Sequence, residues 1–548
     1  MDGTTDPKDE RAMTPPARQP AHPNPALPLD PGRPASTRRQ WAALAVLVLP
    51  VLLISIDMTV LSFALPAISE AMSPTGTQLL WIVDGYSLAI AGLLVTMGTL
   101  GDRHGARRML LVGGAGFGVV SLLAAFADSP TALIAARIAL GVFGATLMPS
   151  TLSLLRSTFT DREQRRTAFA VWAGGFAAGG ALGPIVGGWL LEHFWWGSVF
   201  LLNVPFMVAL LVLVPLLVRE HRSPAARGRI DVTSVAVSIL ALTALVYGVK
   251  TLAEHGPTAA PVATTLLGAG LAVVFVRRQN ALADPLLDVD LFRLPVFRAS
   301  VLANLMSICG MTGMLFAVSQ HLQLVLGLRP LTAGLLLLPG AVVTFLAGLA
   351  AARLARRLRL DLLIVTGLLL GTAGYAVMAT LGAGRGTAAA AQLAVAFAVL
   401  CAGAGLAETL TNDAILSAAP AERSGAASAI SETAYEVGAV LGTTVLGSVL
   451  NAVYRGRVEL PASASPEQAG AARETLGGAV EVAAALPDGP ALLDSARAAF
   501  AQGLDATALA GAVLTAAAAF VVWRTLRPAR GAAAVDVTPR EVAVAERA

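Results

Sequence analysis

The sequence predicts an all-α integral membrane protein with fourteen transmembrane helices. Two observations carry this. Of 548 residues, 55% are hydrophobic and only 14% charged, against roughly 25% charged in an average soluble domain. The apolar residues also lie in continuous runs of about twenty, the length of helix that crosses a hydrocarbon core of about 30 Å. The ten-residue alternation of a membrane β-barrel is not their pattern.

Taken in order, the first 40 residues are polar and proline-rich and hold no short apolar core. They do not read as a signal peptide, cannot bury enough apolar surface to fold, and are expected to form a disordered tail. Six apolar runs follow, at about 42–66, 79–100, 109–127, 131–155, 167–191 and 198–218. Two more, 232–252 and 261–277, sit in a central region, 219–296; the second is short and rich in Gly and Ala. The last six are 297–322, 332–352, 362–382, 388–417, 426–453 and 504–524, followed by a polar tail from 527 to 548. The expected organisation is a six-helix bundle over 41–218, the central pair, and a second six-helix bundle over 297–526. A long connection, 454–502, with Ala-rich helical stretches lies inside the second bundle.

Orientation follows from arginine. With the N-terminal tail inside, the even-numbered connections carry "DRHGARR", "RSTFTDREQRR", "REHRSPAARGR", "RRQNALADPLLDVDLFRLPVFR", "RLARRLRL" and "AERSG". The short loops on the other side offer only Lys250, Arg329 and Arg385. The positive-inside rule then places both tails in the cytoplasm of a plasma-membrane protein and the 454–502 connection outside.

Against this background the charges inside the spans stand out, since one near the bilayer centre costs at least about 2.5–3.5 kcal/mol. In "WIVDGYSLAIAGLLVTMGTLGDRHGARR" Asp84 lies near the outer end of span two, and Asp102 emerges inside, about 27 Å away at 1.5 Å per residue. Asp57 of span one, Asp84 and Arg137 of span four all fall in the outer half and are expected to share a depth. A permanently charged arginine favours the ionised form of a carboxylate it touches, and burial favours the neutral form. A conformational change that exchanges these influences would bind and release a proton, so the three are assigned to proton coupling. Glu432 and Glu436 lie one turn apart on one face of span thirteen. Span twelve adds Glu408 near the midplane and Asp413 nearer the cytoplasm. Six carboxylates against one embedded arginine predict a cavity for lipophilic cations, with Asp84, Glu432, Glu436 and Glu408 as binding residues. Trp81, Tyr86, Trp172, Phe176 and Phe316 are candidate walls, and equally candidates for packing.

Several motifs recur in a definite order. Span one has "DMTVLSFALPAI", span two the "WIVDGY" start, and the following loop Gly98, Asp102, Arg103, Gly105, Arg107 and Arg108. Span four carries "LIAARIALG" with Arg137. Span five carries "GFAAGGALGPIVGG" with Gly175, Gly179, Gly183, Pro184, Gly187 and Gly188, and "SVFLLNVP" opens span six. This succession resembles the major facilitator superfamily, and with fourteen spans its drug:proton antiporter branch, which adds two central helices to the usual twelve. The likeness is dense over 41–218 and continues through "LDVDLF", "GLLLLPGA" and "SGAASAISETAYEVGAVLGTTVLGSV". It departs at Ala106, where a basic residue is usual, at Leu140, and in span ten, which lacks the acid of some multidrug members; this argues against a dicationic cargo. The resemblance implies two six-helix bundles rocking about a midplane site. It also implies a cytoplasmic latch made by the span-two loop residues, an antiporter motif in the span-five glycines, and acids at Glu432 and Glu436 of the kind carried by members that move cations.

The expected function is proton-coupled export of lipophilic, cationic drugs or antiseptics by a monomer, powered by the proton gradient and with no cofactor, metal or nucleic-acid partner. The alternatives are an exporter dedicated to one endogenous antibiotic, and a non-transporting sensor or scaffold on the same fold. No phosphate-binding loop is available, because neither lysine, Lys8 or Lys250, follows a glycine as that loop requires. Cys309 and Cys401 lie in apolar runs and frame no disulfide, and the six histidines, His193 and His321 among them, are scattered; no enzyme is expected.

Overall fold

The structure is a computed structural model that describes residues 38–526 except 160, 219–230, 283, 284, 286, 356, 382–385 and 420–423. The predicted disordered tail up to residue 37, the polar tail from 527 on, and the arginine-bearing "REHRSPAARGR" lie outside the described residues. Arg38 to Gln40, assigned to the tail, instead open the first helix.

The first six spans are α1 (Arg38–Met72), α2 (Gly76–His104), α3 (Ala106–Ala125), α4 (Pro130–Thr158), α5 (Arg162–His193), and α6 (Ser198–Leu201) with α7 (Asn203–Leu217). The central pair is α8 (Val232–His255) and α9 (Ala259–Ala281). Then come α10 (Pro295–Gln320), α11 (Pro330–Leu354), α12 (Leu360–Met378), α13 (Thr387–Ala418) and α14 (Ser424–Leu441). A π-helical turn, Gly442–Leu446, carries α14 into α15 (Gly447–Arg457). After α16 (Pro466–Glu474) and α17 (Leu476–Ala485), α18 (Gly489–Leu526) returns. Among the described residues thirteen stretches are long and apolar enough to cross a membrane; α5, bent by 41° between Thr167–Gly180 and Leu182–His193, makes fourteen.

The helices overrun the predicted runs, because hydropathy reads only the lipid-immersed part while polar caps extend the ends. Thr75 caps α2 reciprocally: its hydroxyl accepts from the Gln78 N–H at 3.1 Å and its own N–H donates to Gln78 Oε1 at 3.0 Å, the capping-box arrangement. The 454–502 connection is helical throughout much of its length, comprising the end of α15, all of α16 and α17, and the start of α18. It forms a cap over one end of the bundle, stapled where the Tyr454 hydroxyl donates to Ala472 O at 2.7 Å. We call this the cap end, and the end where α1 begins and α18 finishes the tail end.

Within the first bundle α1 packs on α5 and α2 on α4; within the second, α13 packs on α10, α11 and α12, and α18 on α12 and α15. The two halves meet chiefly through α5 on α11 and α2 on α14. The central pair docks across both, α8 resting on α2 and on α15. Otherwise α8 and α9 present apolar side chains such as Val232, Leu240, Leu266 and Leu267 outward, a surface that requires lipid. At the tail end the pair is closed by polar side chains: Asp231 caps α8 and pairs with Arg278 at 2.9 Å, and Gln279 donates to Ser234 Oγ at 2.7 Å. The Arg278 guanidinium holds the Asp231 carboxyl well below the usual carboxylate range.

Glycines set the closest approach. Gly179 lies against the Leu52 carbonyl and 2.8 Å, measured to a Cβ built on it, from Ser55 Cβ, so α1 and α5 touch backbone to backbone as small-residue seams allow. Gly179→Ala is therefore expected to lower the thermal unfolding temperature in detergent, overpacking typically costing about 1–3 kcal/mol. Gly270→Ala on α9, where nothing lies within 4 Å, is expected to leave it unchanged or slightly raised.

Candidate functional site

Two buried carboxylates of the first bundle each hold a cation. Asp57 of α1 receives Arg137 of α4, Nη1 to Oδ2 at 2.6 Å, with both side chains 2% exposed. The same guanidinium donates from Nε to the Ile82 carbonyl of α2 at 3.0 Å and lies over the Tyr86 ring at 4.5 Å. One arginine thus binds three helices. The contact is permitted by Gly141, one turn along α4, which meets the Tyr86 carbonyl where any side chain would collide.

Asp84 does not join this pair. Two residues beyond Ile82 on α2, it points to α8, where Lys250 Nζ lies 2.8 Å from Oδ2. The Thr444 hydroxyl of the π-turn donates to Oδ2 at 2.9 Å, and the Thr443 hydroxyl donates to Oδ1. Trp81, one turn earlier on α2, sets its ring 4.6 Å from Nζ. The expected common site of Asp57, Asp84 and Arg137 is therefore two sites. Lys250, read as a loop residue, is a fully buried partner. A signal was present in the sequence: one of two lysines in the chain stands inside "ALVYGVKTLA" with no other charge beside it, and an intramembrane ionisable residue is a functional candidate by default. Thr443 and Thr444 carried no such signal.

The three glutamates sit elsewhere, on a cavity of about 650 Å³ between the halves. Its wall includes Glu408, Glu432 and Glu436, with Asn304, Asn412, Trp172, Phe176 and Tyr435. A smaller cavity of about 190 Å³ shares Phe176, Thr344, Phe345, Glu408 and Tyr435 with it and is otherwise nearly apolar. Glu432 and Glu436 occupy successive turns of α14. Glu436 lies against Ser87 of α2, and its Oε2 is buried without a hydrogen-bond partner. The Phe176 and Tyr435 rings meet edge to face at 6.0 Å across the two halves. Asn412 accepts from the Ser431 hydroxyl, and Asn304 Nδ2 approaches Ser431 O at 3.5 Å. Asp57, Asp84 and Arg137 are absent from the described lining, so the expected role of Asp84 in contacting substrate does not fit this conformation. Asp413 is exposed. Of the aromatic candidates, Trp172 and Phe176 line the cavity, while Tyr86 and Phe316 are buried in packing.

The other motif residues divide by end. At the tail end Gly105, φ +99°, turns α2 into α3 with its N–H bonded to Gly101 O, a conformation that only glycine adopts readily. Gly98 packs beside Pro149, and Arg107 Nη2 donates to Pro215 O at 3.1 Å. Arg103 and Arg108 are exposed, and the Asp102 side chain lies outside the described residues, so no ion pair of the expected latch is placed. On α5, Gly175, Gly179, Gly183 and Gly187 face Val48, Leu52, Thr59 and Val60 of α1, and Gly188 faces Leu331 of α11. Pro184 withholds the N–H that Gly180 O would accept, beside the bend. Contacts between the halves gather at the cap end: Ser319 Oγ to Ser62 O at 2.9 Å, Gln323 Nε2 to Phe63 O at 3.3 Å, and the Arg329–Glu192 ion pair.

The family model of the Major Facilitator Superfamily matches residues 47–443. The chain is 55% identical over 496 residues to the multidrug efflux pump LfrA of Mycolicibacterium smegmatis, covering 90% of this chain and 98% of that protein. It is 38% identical to the methyl viologen resistance protein SmvA of Salmonella typhimurium, with 84% and 93% covered. It is 34% identical to a tetracenomycin C resistance and export protein of Streptomyces glaucescens, with 75% and 76% covered. Among solved structures, a bacterial homologue of the human lysosomal transporter Spinster superposes with a TM-score of 0.64 at 17% identity, covering 90% of this chain and 98% of that one, which establishes the common fold.

Arg137 serves two acceptors and an aromatic face from separate nitrogens of one planar fork, a spread that the compact ammonium of a lysine does not reproduce. Arg137→Lys is expected to lower the unfolding temperature measurably. Arg137→Met is expected to lower it further, because a buried charge left without its partner costs about 3–5 kcal/mol.

Proposed function

This chain belongs to the major facilitator superfamily, and we propose that it exports lipophilic cations from the cytoplasm in exchange for protons. The observation that carries this reading is the sign of the cavity. Its described lining holds three glutamates and no arginine, lysine or histidine, while the embedded Arg137 and Lys250 are spent on aspartates behind the wall. A cation with an apolar body would gain Coulomb attraction from Glu408, Glu432 and Glu436, and ring contacts from Trp172, Phe176 and Tyr435. The relatives' names support it: one is a multidrug efflux pump, and another confers resistance to methyl viologen. Methyl viologen carries two positive charges. Three cavity acids suffice for such a cargo without one in the tenth span, against the expectation drawn from that span.

Asp57 and Asp84 are the proposed proton carriers, each poised between a basic partner and a proton. Exchange arises if protonation weakens the ties that hold the halves in one arrangement. The latch, formed by Gly98, Asp102, Arg103, Gly105, Arg107 and Arg108, would close the tail end when the cap end opens. Glycines along α5 let that helix slide on α1. Arginine placement supports cytoplasmic tails and an outward cap in the plasma membrane. A monomer drawing on the proton gradient, with no cofactor, meets every requirement of the cycle. A cargo made by the host itself is the second reading, favoured by the tetracenomycin exporter among the relatives.

In proteoliposomes an imposed proton gradient is expected to drive ethidium against its concentration gradient, and Asp57→Asn to abolish the drive; transport indifferent to the gradient would overturn the proposal. Glu432→Gln or Glu436→Gln is expected to weaken ethidium binding about tenfold, equivalent to about 1.4 kcal/mol, measured by fluorescence titration. A panel in which dyes and quaternary amines fail to bind, while tetracenomycin C does, would favour the dedicated exporter.

A further inference from the structure

We propose that Lys250 is a built-in counter-ion that occupies Asp84 until a proton displaces it, which makes the inserted pair α8–α9 a working part of the exchange. This rests on the exchange reading above and assigns the central helices a role in it.

Three bodies converge on one carboxylate. Asp84 belongs to α2 of the first half, Lys250 to α8 of the insert, and Thr443 and Thr444 to the π-turn of the second half. Successive helical residues normally diverge by about 100°, yet here both hydroxyls reach the two oxygens of a single side chain, in the widened turn between α14 and α15. Such π-turns recur at functional sites. An accessory helix pair facing lipid has no need of a buried ammonium, and anchoring at the bilayer surface would be served by an exposed one.

The ammonium depends on Asp84. Its Nζ is fully buried and meets no other acceptor among the described residues; beyond Asp84 it has the Trp81 ring. Ammonium and proton are therefore exclusive occupants. A proton that arrives at an Asp84 oxygen neutralises the carboxylate and strands the Lys250 charge in apolar surroundings, so the lysine must move away or release its own proton to solvent, leaving a neutral pair. Either event weakens the tie of α8 to α2. Conversely, when the halves part and the two threonines leave, Asp84 retains its charge only as long as α8 follows α2. The carboxylate thus senses which half the insert accompanies.

Among the described side chains the other charged groups near these helices have surroundings of their own; the Glu254 side chain, one turn from Lys250 on α8, lies outside the described residues. Arg137 of α4 is held by Asp57 of α1, and Glu436 of α14 lies against Ser87, with Glu432 on the cavity wall. Arg455 of α15 pairs with Glu474. Arg278 of α9 pairs with Asp231, nineteen residues or about 28 Å of helix from Lys250. The α3 arginines, Arg107 and Arg108, lie at the tail end.

The test uses the full-length protein in proteoliposomes, with the pH profile of ethidium exchange as readout. A cation beside a carboxylate shifts its titration by about one to three units. Lys250→Met is therefore expected to move the profile toward alkaline pH by at least about one unit, and Lys250→Arg to restore it toward the wild-type position. A Lys250→Met profile that superimposes on wild type overturns the proposal. Thermal unfolding in detergent supplies an independent measure, which also decides the case if Lys250→Met does not reconstitute or if the wild type ignores pH and the exchange reading itself falls. Asp84→Asn alone is expected to unfold at lower temperature than Asp84→Asn with Lys250→Met, because the single variant strands the ammonium. Additive losses overturn the counter-ion role.

Discussion

An ion pair sealed in an apolar bundle constrains everything built around it. Removing two charges from water costs several kcal/mol per ion even after relaxation, and only close geometry with further hydrogen bonds offsets it. Asp57–Arg137 meets that demand by drawing in the Ile82 carbonyl and the Tyr86 ring, and Asp84–Lys250 by drawing in two threonines and Trp81. The helices have to stand where these partners meet. Gly141, at the contact of α4 with Tyr86, is a consequence of that placement rather than an independent feature.

The two pairs differ in what they join. Asp57–Arg137 lies within one half, so it travels as a unit and can be stiff. Asp84 lies at the junction of both halves and the insert, where a stiff tie would oppose any rocking. Its partners are accordingly side-chain hydroxyls and a long flexible lysine, in place of a bidentate arginine fork. The choice of Lys over Arg at position 250, in a chain whose basic residues are almost all arginine, follows from that position: an ammonium can give up its proton inside a protein and a guanidinium cannot.

The sequence made the membrane architecture legible because lipid imposes a single-variable rule, that a span must be apolar for about twenty residues. All fourteen runs coincide with helices, including the bent α5. What lay beyond the reach of that rule was whatever water or protein contact governs. The 454–502 connection folds as helices because caps such as Ser465 with Gln468 and packing onto the bundle stabilise them. Helix ends overran the runs for the same reason. In the site, motif order brought out Asp57, Arg137, Asp84 and the glycine face, each on a helix whose direction and depth follow from counting residues. Azimuth does not follow from counting. The Asp84 side chain meets α8 while the Ile82 carbonyl two residues earlier meets Arg137 of α4, so the partner of each carboxylate had to be seen in three dimensions. Lys250 is hidden by its place two residues before the end of the apolar run 232–252, where a charge reads as an anchor.

Charge accounting changes meaning once the pairs are known. Six carboxylates against one arginine suggested a strongly acidic interior shared by proton and cargo. With Lys250 added, two aspartates are neutralised by partners and Asp413 is exposed, which leaves three glutamates on the cavity wall. The ion-paired aspartates, proposed as proton carriers, and the acid-lined cavity, proposed for cargo, are then physically distinct, separated by the packing of α2 against α14, with Glu436 and Ser87 at their common boundary. In the proposed exchange, communication between them would pass through that helix contact. Because Asp84 and Ser87 are one turn apart on α2, and Glu436 and Thr443 two turns apart where α14 passes into the π-turn, a shift of α14 that accommodated a cation at Glu436 would be transmitted along the same helix to the hydroxyls on Asp84. Coupling of this kind needs no residue shared by proton and substrate, only a rigid helix with an acid-binding group at each end of the contact.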